Sequence, residues 1–479
     1  MRTIPRTLFC LVSWIIFAID LSSGTTLEGR NCPETSVANS IGSMVKTRPQ
    51  VPLDVEGYLP APDNLKLEQV HVFVRHGERT PVGVRLAGPP ANIPEYWPLC
   101  KTANRFQATV ASVFQGKDLQ DEHIKTRKVV ERRNGMRADE ECLLGELTDV
   151  GRQSTYNFGV NLRKLYIDRL GFIPDILSDK NITYFRSTNM PRTTESLQQV
   201  IHGLYPTHKC HPQAYPDILL RNGKDENLIG NTYACKRLEV LQIGFAHAAA
   251  QAYNPTLEHL DKKVSKYING NPIRVDGKPR ASGVMDTIRA SIAHGIKVPP
   301  EFEDKSVVDV IEQAVVSEWF SDKTEEVRRL GMGPLLSDIA TKMQRKIDDG
   351  EKEQTKLLVH STHDTALAAL AATLDVFDEK WPAFTASMTF ELFKKRPDTV
   401  PQPVQPQSIL KLGAFARASP QYYIRLRYQN KDMALPICAA EGNHLEGHPE
   451  FCTFAAFKAR VRELTPTDWD GECMPSGRA

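Results

Sequence analysis

None of the nine cysteines forms a C-x-x-C pair. Zinc ribbons and thioredoxin-type redox centres are built on such pairs, so neither has support. Neither charge dominates: 60 Lys and Arg face 58 Asp and Glu, a formal net charge of +2. A broad basic face for nucleic acid is therefore not expected, and any cationic site must be local. Beyond residue 19 no apolar run is long enough to span a bilayer, and no internal repeat occurs. The 479 residues allow one large or two modest domains with a sizeable core.

What is present begins with a leader. Arg2 and Arg6 precede an apolar stretch from Leu8 to Ile19, followed by the small residues Ser22, Ser23 and Gly24. That order, over 1–24, reads as a secretory signal peptide or an uncleaved signal anchor. A mitochondrial presequence is the weaker alternative, because the segment is apolar throughout rather than amphipathic. Without Cys10 the cysteines form an even set: 32, 100, 142, 210, 235, 438, 452 and 473. Disulfides in an oxidising compartment, secreted or in an endomembrane or vacuolar lumen, account for them most simply. Asn181-Ile182-Thr183 is one glycosylation sequon.

Residues 25–66 carry many breakers and read as an extended arm. Three strand–loop–helix units follow, far apart in the chain. "EQVHVFVRHG" is a β-branched, aromatic run closed by Gly77 and Pro81. "ITYFRSTNMPRTTESLQQVIHGLY" gives a strand ending near Phe185 and a helix over Arg192 to Tyr205. "TKLLVHSTHDTALAALAATLDVF" gives a strand at Leu357 to His360 and a helix over Thr365 to Leu374. Repeated strand–helix units imply an α/β fold, its mainly parallel sheet flanked by helices. Loops at the carboxyl ends of such strands converge into a site. Residues 67–209 and 347–479 form this α/β domain, and 210–346 reads as an inserted, mainly helical cap. The stretch "KKRPDTVPQPVQPQS" is a proline-rich surface loop.

All three loops concentrate residues that suit a phosphate ester. Arg75, His76 and Arg79 end the first strand, Arg186 ends the second, and His363 and Asp364 follow the third. Guanidinium forks match phosphate oxygens. A neutral imidazole among arginines can attack phosphorus, and a carboxyl group can protonate the departing oxygen. No cofactor and no metal is needed for this chemistry.

"RHGERTP" resembles the R-H-G-x-R-x-P signature of the histidine acid phosphatases, the larger branch of the histidine phosphatase superfamily. "GELTDVG" at 145–151 is similar to that family's G-x-L-T-x-x-G element, "FRSTNMPRTTES" to its R-S-T-[DN]-x-x-R segment, and "STHDTAL" to its H-D motif. The resemblance implies a phosphoglycerate mutase-like mixed sheet with a helical cap. It implies His76 as the nucleophile, Asp364 as proton donor, and Arg75, Arg79, Arg186 and His363 as the phosphate pocket. "MGPLL" and "FDEKWPAF" look most like the lysophosphatidic acid phosphatase branch, while the placing of Cys100 and Cys142 looks more like the phosphoxylose phosphatase branch. Cys438 with Cys452 resembles a family disulfide, and Cys235 with Cys473 and Cys100 with Cys142 are further pairings.

The implied function is a metal-independent acid phosphatase for small phosphomonoesters, lysophosphatidate or a phosphosugar among them, working through phosphohistidine. The alternatives are an inositol-polyphosphate phosphatase and a non-catalytic, anion-binding glycoprotein of the same fold. A mutase is disfavoured by the leader and the long cap. Nucleic acid is not an expected partner, and membrane contact is expected only through the N-terminal segment. Arg192 reads as a helix residue outside the core set, His360 as a strand residue with a structural partner, and Glu78 as solvated. His294 is a candidate to face the pocket from the cap. "KTRKVVERRNGMRADEE" reads as an exposed, mobile charged face.

Overall fold

The computed structural model describes residues 52–101, 107–111, 123–397 and 421–475. The leader, Cys32 and most of the proline-rich stretch lie outside them.

The apolar run that ends in the arginine–histidine signature forms β1 (Leu65–Arg75), buried without break from Val70 onward. Then come α1 (Asp149–Arg163), β2 (Thr183–Ser187), α2 (Pro191–Leu204) and the short β3 (Ile218–Leu219). The inserted stretch supplies α3 (Lys236–Leu257), α4 (Ala281–Ala293), α5 (Lys305–Phe320) and α6 (Gly333–Asp349). The chain returns through β4 (Leu357–Thr362), α7 (Asp364–Thr373), β5 (Ser387–Lys395), β6 (Tyr422–Tyr428), β7 (Lys431–Met433), β8 (His444–Leu445), β9 (His448–Thr453) and α8 (Phe454–Leu464).

One nine-stranded sheet results, in the order β8-β9-β6-β5-β1-β4-β2-β3 with β7 beside β6. It is mixed, as the sequence implies. β1, β4, β2 and β3 run parallel, while β5 and the strands beyond it pair antiparallel. The parallel half carries the site.

Strand alternation sends Phe73, Phe390, Leu392 and Ile424 to one face, under α6, α7 and α8. Val70, Val72, Val74, Phe185 and Val359 go to the other, under α1 and α2. A third apolar core joins α3, α4 and α5 to Leu86, Ile93 and Trp97. The helix α6, grouped with the cap in the sequence reading, instead buries Leu335, Leu336, Ile339 and Met343 on the sheet. The arm's last residues are likewise docked. Leu53 and Tyr58 are buried in the second cluster, and the Tyr58 hydroxyl donates to the fully buried Glu391 at 3.1 Å.

The disulfides Cys100–Cys142, Cys235–Cys473 and Cys438–Cys452 form: the one that resembles a family disulfide and the two further pairings named beside it. Asn181 of the sequon is exposed. Among the described residues no helix is long and apolar enough to cross a membrane.

Candidate active site

Register brings the loops together. Arg75 at the end of β1 lies opposite Thr362 at the end of β4, and Ser187 at the end of β2 lies opposite Ser361. Residues immediately beyond these ends therefore share one space. The His76 N–H donates to the Thr362 carbonyl at 3.0 Å, and the Thr188 hydroxyl meets His363 Nε2 at 3.0 Å. Two motif glycines allow the close fit. A Cβ on Gly77 would lie 2.3 Å from the Gly151 carbonyl oxygen, and one on Gly151 would lie 2.1 Å from that of Glu78. Only hydrogen fits between these backbones.

His76 is buried, and its Nδ1 lies 2.8 Å from the Gly77 carbonyl oxygen. A carbonyl only accepts, so Nδ1 carries the proton and the lone pair stays on Nε2. Burial first, then Arg75, Arg192 and Arg79, hold the imidazole well below its ordinary pKa, so it stays neutral in mild acid. Its ring stands 5.6 Å from that of His363, which burial and Arg192 draw down to about 3.

Asp364 is the first residue of α7 rather than its cap, which is His363. Its Oδ2 receives Arg75 at 2.7 Å and the Trp381 indole N–H at 2.9 Å. Burial alone would push this carboxyl up, but Arg75 and Arg79 beside it hold it down at about 2. Arg75 also donates to the Pro382 carbonyl at 2.6 Å and lies 4.1 Å over the Phe384 ring. Arg79 pairs with Asp286 of α4 at 2.9 Å, and Asp286 accepts the Val82 N–H at 2.9 Å.

Arg186 departs from expectation. Its guanidinium donates to Glu226 at 2.5 Å and to Asn227 at 2.8 Å, with Asp338 of α6 at 3.6 Å. It thus sits in a buried network on the α6 side of the sheet. Register is the cause: Arg186 lies opposite His360, which lies opposite Phe73, so on the same face of the sheet it stands two residues short of the level of Arg75, beneath α6 rather than at the strand ends. The third guanidinium near His76 belongs to Arg192, on the first turn of α2. Burial, then Arg79, draw its pKa down to about 10, and its charge is the second strongest acting on His76. Arg75, Arg79, His76, His363 and Asp364 are thus brought together, and Arg186 is not. Arg192, Asp286, Trp381 and Phe384 were missed. The second arginine of "RSTNMPR" and the segment "FDEKWPAF" were the available signals for three of them, and nothing in the sequence marked Asp286.

Arg75, Arg79 and Asp364 form the floor of a cleft of about 710 Å³ whose walls come from α4, α5 and residues 380–384. Met285, Ile292, Phe302, Val308, Val315 and Trp381 give those walls much apolar surface. Clustered cations beside a neutral nucleophile, under an apolar antechamber, suit a phosphate carried by an organic group.

Known proteins agree with that chemistry. Residues 66–429 match the histidine phosphatase superfamily (branch 2). A probable acid phosphatase of Schizosaccharomyces pombe is 33% identical over 444 residues, covering 86% of this chain and 95% of the relative. This chain belongs to the histidine phosphatase superfamily, branch 2. With membership goes the expected reaction class, hydrolysis of phosphate monoesters. Human lysophosphatidic acid phosphatase type 6 is 25% identical over 352 residues, 71% of this chain and 77% of that one. Among solved structures, the apo phytase of Hafnia alvei has a TM-score of 0.53 at 14% identity, covering 87% of this chain and 100% of that one. A multiple inositol polyphosphate phosphatase of Bifidobacterium longum also reaches 0.53, at 11% identity, covering 88% and 98%. These likenesses concern the fold alone.

Other residues in this phosphatase depart from their sequence readings. His294 does not face the cleft: its ring bonds the Ala290 carbonyl and the Thr148 hydroxyl, both at 2.7 Å, tying α4 to the N-cap of α1. Glu78 accepts the Ser154 hydroxyl rather than standing in water. His360 is a strand residue as expected, but its partner is the Phe73 ring, stacked at 4.4 Å; both its nitrogens lack a hydrogen bond among the described residues. In the charged run, Glu141 is buried and receives Arg132 at 2.6 Å.

Proposed function

We propose that His76 Nε2 attacks the phosphorus of a monoester held by Arg75, Arg79 and Arg192, with Asp364 as proton donor. One N–P bond forms as the P–O bond to the leaving group breaks, and the leaving oxygen takes the Asp364 proton. Water then cleaves the phosphohistidine, giving a proton back to Asp364 and releasing phosphate. The observation that carries this reading is the His76 tautomer, with its lone pair on Nε2 inside a cluster of arginines.

The low pKa of Asp364 dictates where its proton comes from. At pH 5 the empty site holds a carboxylate. A phosphate ester has a second pKa of about 6, so in mild acid it arrives as the monoanion. Its phosphoryl charge engages the arginines that depress Asp364, and the proton passes to the carboxylate. Activity then falls as pH rises through about 6, while His76 stays neutral and competent on the acid side.

The leaving group is organic and uncharged, a class that includes lysophosphatidate and simple phosphosugars. The apolar cleft wall supports this, as does similarity to enzymes named for lysophosphatidic acid. Secretion with cleavage of the leader fits three disulfides in an oxidising compartment.

Purified protein with para-nitrophenyl phosphate and a chelator tests the mechanism. Turnover is expected to persist, and His76→Ala to lower it by more than about 10³-fold. Asp364→Asn is expected to cost about 10²–10⁴-fold, more for alkyl than for aryl esters, because a poor leaving group depends most on the acid. Activity that needs added metal, or that survives in His76→Ala, sinks the reading.

A further inference from the structure

The leaving-group side of the cleft contains an ion pair that the proposed mechanism leaves idle. Arg289 of α4 and Glu312 of α5 meet at 2.5 Å, with 27% and 21% of their side chains exposed. The Arg289 guanidinium lies 5.7 Å over Trp381, the residue whose indole N–H holds Asp364. Glu312 accepts the Trp381 backbone N–H at 3.1 Å. The Arg289 charge acts directly on Arg75, so Arg289 is the next guanidinium outward from the phosphate floor.

Each of the three arginines lining the cleft is thus matched by a carboxylate: Arg75 by Asp364, Arg79 by Asp286 and Arg289 by Glu312. The reacting phosphoryl group engages the first two. A monoester makes no demand on the third, but a substrate with a second phosphate would need it. A guanidinium with no carboxylate partner is a strong, bidentate phosphate site. At the reacting phosphoryl group three guanidinium groups converge and outweigh Asp364 and Asp286, whereas Arg289 alone faces Glu312, whose negative charge offsets it and repels a second incoming anion. The same negative charge reaches Lys380 on that wall.

We infer that Glu312 is a specificity-determining residue, closing a second anion position at Arg289 and confining the enzyme to monophosphates with uncharged leaving groups. The inference rests on the reading that this cleft hydrolyses monoesters.

The test compares kcat/KM for fructose 6-phosphate and fructose 1,6-bisphosphate, following released phosphate with the full chain. The wild type is expected to favour the monophosphate. Glu312→Gln raises the bisphosphate-to-monophosphate ratio about 10-fold by removing the repelling charge. Arg289→Gln moves it the other way, because Glu312 then stands uncompensated. The opposite signs let either folded variant decide. A wild type that prefers the bisphosphate overturns the inference, as does a variant ratio within about twofold of wild type while para-nitrophenyl phosphate is still hydrolysed. A wild type inert on para-nitrophenyl phosphate fails at the earlier reading instead.

Discussion

Two arginines six residues apart show how one residue's surroundings fix its work. Arg186 is fully buried against Glu226, Asn227 and Asp338, and Arg192 is partly buried beside His76. Arg186→Ala would strand the Glu226 charge in the interior, a loss of about 3–5 kcal/mol. Arg192→Ala removes a cation from a site crowded with cations, so folding is expected to suffer little. The two variants should therefore separate cleanly. Calorimetry should show a large fall in Tm for Arg186→Ala. Steady-state kinetics should show the larger fall in kcat/KM for Arg192→Ala once temperatures are chosen where both are folded. Sequence pattern alone did not distinguish them, because both occupy one motif; the sheet register puts Arg186 level with Phe73 beneath α6, while Arg192 on α2 lies beside His76.

The element scale explains why the motifs need their glycines. The loop after β1 and the entry to α1 touch through the backbones of Gly77, Glu78 and Gly151, and Thr148 caps α1 while bonding the Glu78 carbonyl at 3.2 Å. Gly151→Ala inserts a methyl where 2.1 Å is available, so the signature loop must shift. A shift of even 1 Å at a nucleophile can cost about 10²-fold in rate. The variant is expected to lose activity and to melt lower, checked by turnover and thermal scan together. The strand–loop–helix units were legible because their residues are buried on one or two faces at strand spacing. The placing of α6 was not. Its apolar stripe of Leu335, Leu336, Ile339 and Met343 has no mark saying whether sheet or cap receives it.

Over the whole molecule, acid pulls activity and stability in opposite directions. His71, His76, His360 and His363 are buried and held below their ordinary pKa, His71 and His363 at about 3, chiefly by loss of water. The unfolded chain takes up these protons as pH falls through about 6.5, and the folded protein does not. Stability is therefore greatest above that pH and declines on acidification. Asp364, held at about 2, adds loss of the same sign below its unfolded value of about 4. Tm measured from pH 7 to pH 4 should fall while turnover rises. Inorganic phosphate should restore part of the loss by binding only the folded form, about 2.7 kcal/mol at a hundred times its Kd. A Tm that climbs toward pH 4 contradicts this account.

The amino-acid order alone determined the reaction class, because phosphate hydrolysis needs arginine, a nucleophile and an acid, and these stand at three strand ends that a parallel sheet must gather. It likewise determined the sheet strands and the residues that could take part. Which arginine stands beside His76, which helix belongs to the sheet, and that Asp286, Glu312 and Trp381 line the same cleft or hold its residues were visible only in three dimensions. The physical reason is that motifs record chemistry held close along the chain, whereas facing directions and partners across a cleft arise from packing between segments hundreds of residues apart.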